Sequence, residues 1–441
     1  MDAPTAEAWH IRPNGPLVGE VQVSGSKNAV TKHMVAAMLG TQPSTITNAP
    51  DVGDVGITAD ILTSLGVGVD IDGERITIDP VDQPGADVPL EFTGLNRIPI
   101  LLLGPLLARN HEAFVSLVGG DRIGRRPVDF HIEALERMGA TIAVSDDGIT
   151  AKADHLHGAQ ITLPYPSVGA TESVLLTAVL AEGRTVLRNA AVEPEVTELA
   201  LFLQRMGARI GFKPDRRIVI EGVDRLRGAE ARLQGDRLEA FSYLVAGLMT
   251  GGQVRVGGCA QDRLVTAIDT LQKMGARFEI TDDHIQASAD TGLRPAAIQT
   301  DTHPGFMTDW QPPLIVLMTQ AEGMSVIHET VYEDRLGYVE ALTLMGGEIE
   351  LFDTCLGGPA CRFHDTNAKH SAVVRGVSKL RGAEVTIPDV RAGFSSVIAA
   401  AVADGPSTLH GIHHLERGYN RPFETLEALG LKLERVPADQ A

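Results

Sequence analysis

The feature that most constrains the fold of this chain is a unit that repeats six times. A phrase made of Leu, two residues, an apolar residue and Gly, followed by an alternating strand, recurs roughly every 70 residues. The residues before each Gly have the pattern of the last turns of an amphipathic helix, and the Gly stands where a left-handed C-cap is favoured. The glycines are Gly66, Gly139, Gly207, Gly275, Gly346 and Gly430.

A second phrase recurs between these copies, and it consists of an almost wholly apolar helix, a turn and a Thr/Val-rich strand. ESVLLTAVLAEGRTVLRN and FSYLVAGLMTGGQVRVGG are two examples. Helices that are apolar on all sides must be buried. A doubly wound parallel sheet is the alternative, but it would put the apolar runs in the strands and the amphipathic patterns in the helices. The reversed pattern predicts an α/β fold with helices inside and strands outside.

The length alone favours two or three domains, and the repeats favour two. A chain of 441 residues with 44% hydrophobic content can bury one large core or two ordinary ones. Three repeats lie on each side of a midpoint at about residue 230, which favours two similar α/β domains.

The net charge of −19 argues against general nucleic-acid or anionic-membrane binding, because both reward a basic surface. No basic n-region followed by an apolar run opens the sequence, and no segment holds about 18 uninterrupted apolar residues, so we expect a cytoplasmic protein that does not span a membrane. Three cysteines are too few for a disulfide framework in a chain this long, and reduced thiols are expected.

Two segments have the pattern of an anion site at a helix start. Small residues let a ligand approach the backbone, and the N–H groups of a first turn favour negative charge. An ordinary N-cap gives the same pattern, so both interpretations stay open at this level. The segments are Ser24-Gly25-Ser26-Lys27-Asn28 and Ser167-Val168-Gly169-Ala170-Thr171.

The Gly-rich segment 119–129 carries three arginines and two carboxylates. On its own the pattern is equally typical of a solvated surface loop.

Six such units, opening with VSGSKNA, resemble the enolpyruvyl transferase family over about residues 10–435. The resemblance is closest to the branch whose acceptor is UDP-N-acetylglucosamine and which begins peptidoglycan synthesis. It implies inside-out α/β domains of three βαβαββ repeats, with one lobe at 27–234, the other at 1–26 plus 235–441, and the active site in the cleft between them. It also implies phosphoenolpyruvate and a uridine nucleotide as substrates, and no metal or organic cofactor.

The resemblance assigns binding roles to several positions. Lys27 matches a residue that binds phosphoenolpyruvate, with Asn28 at the same site, and segment 119–129 matches a mobile lid. Tyr165 stands where some members have a diphosphate-binding Lys. Positions that match phosphoenolpyruvate, uridine, phosphate or diphosphate contacts are Arg97, Arg126, Pro127, Val128, Asp129, Phe130, Ser167, Val168 and Gly169.

The resemblance also assigns the acid and the base. Asp121 stands where many members have a Cys that protonates the methylene carbon and reacts with fosfomycin, which leads to the hypothesis of fosfomycin resistance. A carboxylic acid can donate this proton if desolvation raises its pKa. Asp309 in HPGFMTDWQ matches the residue that takes the proton from the acceptor hydroxyl. Further matching positions are Glu193, Asp236, Arg335, Asp389, Arg391 and Arg417.

One stretch departs from many family members by its length and gathers two Cys and two His. Four such ligands could hold zinc, but the spacing is not a usual one, so the sequence favours a plain surface loop with no metal. The residues are Cys355, Cys361, His364 and His370.

Other functions remain open from the sequence. Val192, in place of a usual Arg, and the long Cys-containing loop keep open the same transfer to a hydroxyl of a uridine nucleotide such as UMP, in nucleoside-antibiotic biosynthesis. Transfer to shikimate fits SGSKN and RRPVD less well. A non-catalytic binding relative would lose the charged site residues, whereas Lys27, Asp121 and Asp309 are all present.

Overall fold

The computed structural model describes residues 7–120, 123–124, 126–290, 292–356 and 361–437. These described residues form 13 α-helices, which are α1 (Lys27–Ala37), α2 (Gly53–Ser64), α3 (Ile98–Asn110), α4 (Asp129–Arg137), α5 (Val168–Ala178), α6 (Pro194–Arg205), α7 (Arg237–Thr250), α8 (Val265–Lys273), α9 (Gln311–Met318), α10 (Val339–Leu344), α11 (Val390–Val402), α12 (Ile412–Glu416) and α13 (Pro422–Ala428).

Within the same ranges the backbone forms 23 strands. They are β1 (Glu7–Arg12), β2 (Val18–Gln22), β3 (Ser44–Thr47), β4 (Gly68–Asp72), β5 (Arg75–Asp79), β6 (Glu112–Ser116), β7 (Thr141–Val144), β8 (Gly148–Lys152), β9 (Gln160–Thr162), β10 (Arg184–Arg188), β11 (Arg209–Lys213), β12 (Arg217–Glu221), β13 (Glu230–Arg232), β14 (Gln253–Gly257), β15 (Arg277–Ile280), β16 (His284–Ser288), β17 (Ala297–Gln299), β18 (Gly323–His328), β19 (Glu348–Phe352), β20 (Ser371–Gly376), β21 (Glu384–Thr386), β22 (Ser407–His410) and β23 (Lys432–Pro437).

The chain divides into two compact units. The central unit comprises the described residues of Ser24–Gly120 and Pro127–Gln234. The terminal unit comprises the described residues of Met1–Val23, Asp121–Arg126 and Gly235–Ala441.

Each unit contains three small sheets that follow one plan. Five of the six sheets in the described residues have four strands, with a parallel pair at one edge and antiparallel strands beyond it, as in the order β17-β18-β20-β19. The sixth has the order β6-β8-β7, and a parallel bridge from Asp87 to Phe114 takes the place of its fourth strand. The repeated phrases of the sequence therefore correspond to repeated sheets.

The last sheet of the terminal unit joins the two ends of the described chain. Strand β1 lies between β22 and β23 and is antiparallel to both. Its buried residues Trp9 and Ile11 contribute to the core of that unit.

The apolar helices lie inside, as the sequence predicts. In the central unit α3 packs against α1 and α5, and in the terminal unit α7, α9 and α11 pack against one another. Every residue of α9 is buried, and so is the stretch 98–107 of α3. Burial of apolar surface is the main favourable term in folding, and these helices contribute to it along their whole buried length. The inside-out α/β fold is confirmed.

The six repeated glycines all adopt positive φ, between 84° and 109°. A side chain is strained in this left-handed region, so each Gly ends its helix and turns the chain into the next strand, as predicted. Within the described residues, no helix combines the length and apolarity that a membrane span requires.

Candidate functional site

Most of the candidate residues in each unit lie at the starts of helices. In the central unit these are the starts of α1, α3, α4, α5 and α6, and in the terminal unit those of α7, α9 and α11. The first turn of a helix carries partial positive charge and offers N–H donors, so it suits carboxylates and phosphates.

In the terminal unit a buried guanidinium links two of the candidate carboxylates. Arg335 Nη2 donates to Asp309 Oδ1 at 3.2 Å, and Arg335 Nη1 donates to Asp389 Oδ1 at 3.3 Å. The side chains of Arg335 and Asp389 are 1% and 5% exposed, whereas that of Asp309 is 24% exposed. Asp309 is therefore the carboxylate of this group that a ligand can reach.

Aspartates lie at the starts of the three inner helices of this unit, α7, α9 and α11. Asp389 Oδ1 accepts from the N–H groups of Arg391 and Ala392 at 2.9 and 3.1 Å, which caps α11. Asp236 Oδ1 accepts from the N–H of Leu238 at 2.7 Å and so caps α7. Asp309 lies in a short 3-10 helix that leads directly into α9.

Arg391 connects these helix starts electrostatically. Burial lowers the pKa of its guanidinium, but the nearby Tyr419, Asp236 and Asp309 outweigh this, so the net pKa is raised. The guanidinium carbon lies 5.1 Å from the centre of the Tyr419 ring. Arg335 and Arg391 together compensate three carboxylates in a largely buried region, as buried charge requires.

Glu329 supports the turn that leads to Arg335, and no sequence pattern indicated this role. Its Oε1 accepts from the N–H groups of Val331 and Tyr332 at 2.7 and 3.1 Å, and its Oε2 accepts from Thr308 Oγ1 at 3.0 Å. Burial raises the pKa of the Glu329 carboxyl against the opposing effect of these donors. Glu329 thereby ties the turn before Arg335 to the residue before Asp309.

Glu239, in the first turn of α7, was also missed by sequence reasoning. Burial and the charge of Asp236 raise the pKa of its carboxyl to about 8. Its Oε1 accepts from the N–H of Asn420 at 2.7 Å. An isolated Glu within the apolar run RLEAFSYLVAGL is the only signal that could have indicated it.

The described residues of segment 119–129 that belong to the terminal unit contact its turn at Tyr332 and Glu333. The Arg126 guanidinium carbon lies 5.6 Å from the centre of the Tyr332 ring, a cation–π distance. Arg126 has a left-handed backbone with φ of 45°, and a Cβ on Gly124 would meet the Glu333 carboxylate at 2.6 Å. Asp121, the predicted acid, lies outside the described residues.

Arg417 is the C-cap of α12 and is half-buried. Its backbone N–H donates to the carbonyl of His413 at 3.2 Å.

In the central unit Lys27 opens α1. Its Nζ lies 2.7 Å from Asp54 Oδ2, and the two side chains are 18% and 7% exposed. Asn28 follows it in the first turn and is half-buried. The N-cap residue Ser26 is buried, and its Oγ has no hydrogen-bond partner among the described residues.

A second acid–base pair joins α1 and α5 electrostatically, and sequence reasoning missed it. Burial raises the pKa of Glu172 to about 7, against the opposing charge of Lys32. Burial likewise lowers the pKa of Lys32, against the opposing charge of Glu172. Both residues stand within apolar helical phrases, which hid them from pattern analysis.

Arg97 lies at the N-cap of α3 and affects a buried histidine. Burial, then the charge of Arg97, lower the pKa of His131 to about 3, so His131 is neutral at physiological pH. His131 Nδ1 lies 2.7 Å from Ser173 Oγ. A Cβ on Gly169 would meet the His131 ring at 3.0 Å, so Gly169 allows α4 and the start of α5 to approach closely.

Two other predicted sets also lie at helix starts. Ser167 Oγ accepts from the N–H of Ala170 at 3.3 Å and caps α5. Thr171 Oγ1 accepts from the N–H of Ala191 at 2.9 Å, which ties α5 to the segment ending at Glu193, the N-cap of α6. The start of α4 comprises Pro127, Val128, Asp129 and Phe130, with Val128 as its N-cap.

The predicted residues thus fall into one set in each unit. The central set places Lys27 in the first turn of α1 and Arg97 at the N-cap of α3. The terminal set provides aspartates oriented by arginines, with Asp309 partly exposed. Such sets can bind anions and accept a proton, respectively.

Known proteins match the chain over nearly its whole length. A family model described as EPSP synthase (3-phosphoshikimate 1-carboxyvinyltransferase) matches residues 11–426. A UDP-N-acetylglucosamine 1-carboxyvinyltransferase of Chlamydia abortus is 44% identical over 429 residues, covering 96% of this chain and 97% of that protein. One of Protochlamydia amoebophila is 42% identical over 434 residues, covering 96% and 93%.

A solved structure is similar as well. The crystal structure of the enolpyruvyl transferase NikO from Streptomyces tendae aligns with a TM-score of 0.87 at 26% identity, covering 99% of this chain and 100% of that one.

Proposed function

The chain belongs to the EPSP synthase (3-phosphoshikimate 1-carboxyvinyltransferase) family, and we propose that it transfers the enolpyruvyl group of phosphoenolpyruvate to the 3-hydroxyl of UDP-N-acetylglucosamine. Phosphate is the second product. The enolpyruvyl product would enter peptidoglycan synthesis.

The observation that carries this proposal is the full-length identity to relatives named for that reaction. Identities of 42–44% span at least 95% of this chain and 93% of each relative in the chlamydial group. The similarity therefore includes both units, and residues from both take part in the proposed reaction.

The charge of phosphoenolpyruvate explains the role of the cations. At neutral pH it is close to a trianion, so Lys27, Arg126 and Arg417 would neutralise and orient it. The first turn of α1 supports this role for Lys27, because its N–H groups favour an anion and Asp54 Oδ2, 2.7 Å from Lys27 Nζ, fixes the position of the ammonium group. Positioning and electrostatic stabilisation are the main terms that such a site can supply.

The reaction is an addition followed by an elimination. Asp121 gives a proton to the methylene carbon, and the neighbouring carbon gains oxocarbenium character. Asp309 takes the proton of the acceptor hydroxyl, whose oxygen attacks that carbon to form a tetrahedral adduct. A proton then leaves the new methyl group while the C–O bond to phosphate breaks, which regenerates the double bond in the product. No electron donor, metal or organic cofactor takes part.

The geometry around Asp309 supports its assignment as the base. One oxygen, Oδ1, is held by Arg335 at 3.2 Å, so the carboxylate has a fixed orientation. Its side chain is more exposed than that of Asp389, the other carboxylate that Arg335 contacts. A general base must combine such orientation with access to the substrate proton.

A second candidate acceptor is a hydroxyl of a uridine nucleotide such as UMP. Val192, where an Arg is usual, is the observation that favours it. The two candidates share the donor and the reaction and differ only in the acceptor.

The deciding experiment measures phosphate release from phosphoenolpyruvate. UDP-N-acetylglucosamine, UMP and 3-phosphoshikimate are offered in parallel, and kcat/KM is determined for each. We expect turnover with UDP-N-acetylglucosamine. A higher kcat/KM with UMP would transfer the assignment to the second candidate, and no turnover with any acceptor would exclude the proposed reaction.

Fosfomycin tests the assignment of Asp121 as the acid. A carboxylate cannot form the thioether adduct that a Cys forms, so activity should persist during prolonged incubation with the drug. The variant Asp121→Cys is the matched control, and it should become inactivated with time. Time-dependent inactivation of the unmodified enzyme, prevented by substrate, would refute the assignment.

A further inference from the structure

A group of soft metal ligands lies in the terminal unit, apart from the residues assigned to the reaction. The structure adds His328, at the end of β18, to three residues of the long loop, and it leaves His364 out. The four ligand atoms lie within 4.8 Å of one another. This cysteine–histidine cluster consists of His328, Cys355, Cys361 and His370.

We propose that the cysteine–histidine cluster binds a structural Zn²⁺ ion. Two Cys and two His form one of the usual ligand sets for tetrahedral zinc. The sequence had favoured a plain surface loop, because the spacing of its two Cys and two His is not a usual one; His328, outside that loop, was not considered with them.

The distances fit the edges of a zinc tetrahedron. Zn–S and Zn–N bonds of about 2.3 and 2.05 Å imply edges of about 3.8 Å between two sulfurs and about 3.5 Å between sulfur and nitrogen. Cys355 Sγ lies 3.7 Å from Cys361 Sγ and 3.4 Å from His370 Nε2. These two edges therefore match a zinc tetrahedron, and the four ligand atoms all lie within 4.8 Å of one another.

His328 provides an independent indication of a ligand. Its side chain is fully buried, and neither ring nitrogen has a hydrogen-bond partner among the described residues. Leaving a buried polar group unsatisfied costs about 1–3 kcal/mol. Coordination of an ion would satisfy one nitrogen directly.

The surroundings orient the other ligands. His370 Nδ1 lies 2.8 Å from the carbonyl of Ala368, so this nitrogen carries the proton and Nε2 presents its lone pair towards Cys355. The backbone N–H of Phe363 donates to Cys361 Sγ at 3.3 Å, and that of Cys361 donates to Cys355 Sγ at 3.4 Å. Donors of this kind stabilise thiolates and fix ligand orientation in metal sites.

The alternative roles of these residues fit less well. All three cysteines of the chain are free, and 3.7 Å between Cys355 and Cys361 sulfurs is too long for a disulfide bond. His364, the histidine left out, is half exposed, and its Nε2 lies 3.0 Å from Asp365 Oδ1.

The cluster also adjoins the turn that carries Arg335. The N–H of Glu329 donates to the carbonyl of His370 at 2.7 Å, and the Arg362 guanidinium donates to the carbonyl of Val331. An ion that joins His328 to His370 would therefore hold the long loop against this turn. Its loss should lower stability and loosen the support of Arg335.

The test measures the metal content of tag-free protein purified under reducing conditions without chelators. We expect about one zinc ion per chain by elemental analysis. Cys355→Ser should lose the zinc and lower the Tm by about 5 °C or more. His364→Gln, in the same loop, is the matched control and should keep both the zinc and the Tm.

A second measurement covers the case in which Cys355→Ser does not fold. Titration of the unmodified protein with a mercurial thiol reagent should release zinc in proportion to the thiols that react. Absence of zinc together with failure to bind added Zn²⁺ would overturn the proposal. Equal zinc loss in His364→Gln would overturn the assigned ligand set. Another metal at the same stoichiometry would overturn the assignment of the ion as zinc.

Discussion

The two units cap their inner helices with side chains of different charge. In the terminal unit, the carboxylates of Asp236 and Asp389 accept N–H bonds at the starts of α7 and α11. In the central unit, Asn96 Oδ1 accepts from the first N–H of α3, and Ser167 Oγ accepts from a first-turn N–H of α5. For α1 no side-chain cap bond is present among the described residues.

This difference in cap charge gives the helix starts of the two units different chemical properties, although the units share one repeated fold. A carboxylate cap neutralises the positive end of a helix, whereas a neutral cap leaves it available to an external anion. In the proposed reaction, the neutral helix starts of the central unit would bind phosphate groups, and Asp309 of the terminal unit would take the proton.

The largest expected effect follows from removal of the proposed base in the terminal unit. Asp309→Ala should lower kcat by about a thousandfold, because general-base catalysis is lost. Binding of the nucleotide, measured by calorimetry, should change little, since the phosphate-binding helix starts belong to the central unit. The exposed Asp282→Ala is the control. Unchanged turnover would remove Asp309 from the base role.

The second prediction concerns the guanidinium that the aspartates of the terminal unit share. Arg335→Met leaves two carboxylates without their buried partner, which should lower the free energy of unfolding by about 3–5 kcal/mol. Urea denaturation measures it. Arg255→Met, which breaks an exposed ion pair with Glu20, is the matched control and should cost no more than about 1 kcal/mol. Equal losses in the two variants would contradict the proposed balance of charge around Arg335.

The third prediction converts a neutral cap of the central unit into a charged one. Ser167→Asp should keep the cap of α5 and the stability, yet weaken binding of the nucleotide diphosphate by about tenfold through repulsion. Ser167→Asn has nearly the same shape without the charge and is the matched control. Titration calorimetry compares the two Kd values. If both variants bind equally well, α5 does not receive the diphosphate.

The last comparison concerns one buried carboxyl group in each unit. The folded protein keeps the proton of Glu239 up to about pH 8 and that of Glu172 up to about pH 7, from an ordinary pKa of 4.5. Their contribution to stability is complete below pH 4.5 and is lost as the pH rises through the folded pKa.

Each group should lower the free energy of unfolding by about 1.4 kcal/mol per pH unit within its window. Urea midpoints followed from about pH 5 to about pH 9 provide the measurement. Glu239→Gln should reduce the decline of the free energy of unfolding up to about pH 8. Glu172→Gln should reduce it only up to about pH 7. The exposed Glu350→Gln serves as the control, and identical profiles for all three variants would refute the comparison.

Local patterns predicted the fold because each repeat carries its own signals. The all-apolar helices and the six glycines that end the amphipathic helices depend only on neighbouring residues, and both predictions are confirmed. The pairing of β1 with β22 and β23 was not predictable in this way, because those strands are almost a whole chain length apart.

The sites show the same limit. Helix-start patterns indicated Lys27 and Ser167 as local anion sites, but nothing local indicates that one arginine joins Asp309 to Asp389. Glu239 interrupts an apolar helix by a single residue, and such an interruption does not reveal burial. His328 escaped notice because its cluster partners come from a loop beyond β19.

The position of β1 has a consequence for the order in which the chain can fold. Because β1 separates β22 from β23, the last sheet of the terminal unit cannot be completed before β23 has left the ribosome. The sheets of the central unit are complete once β13 has been synthesised. During translation β1 therefore stays without its partner β23 until the end of synthesis, and the central unit can form its core before then.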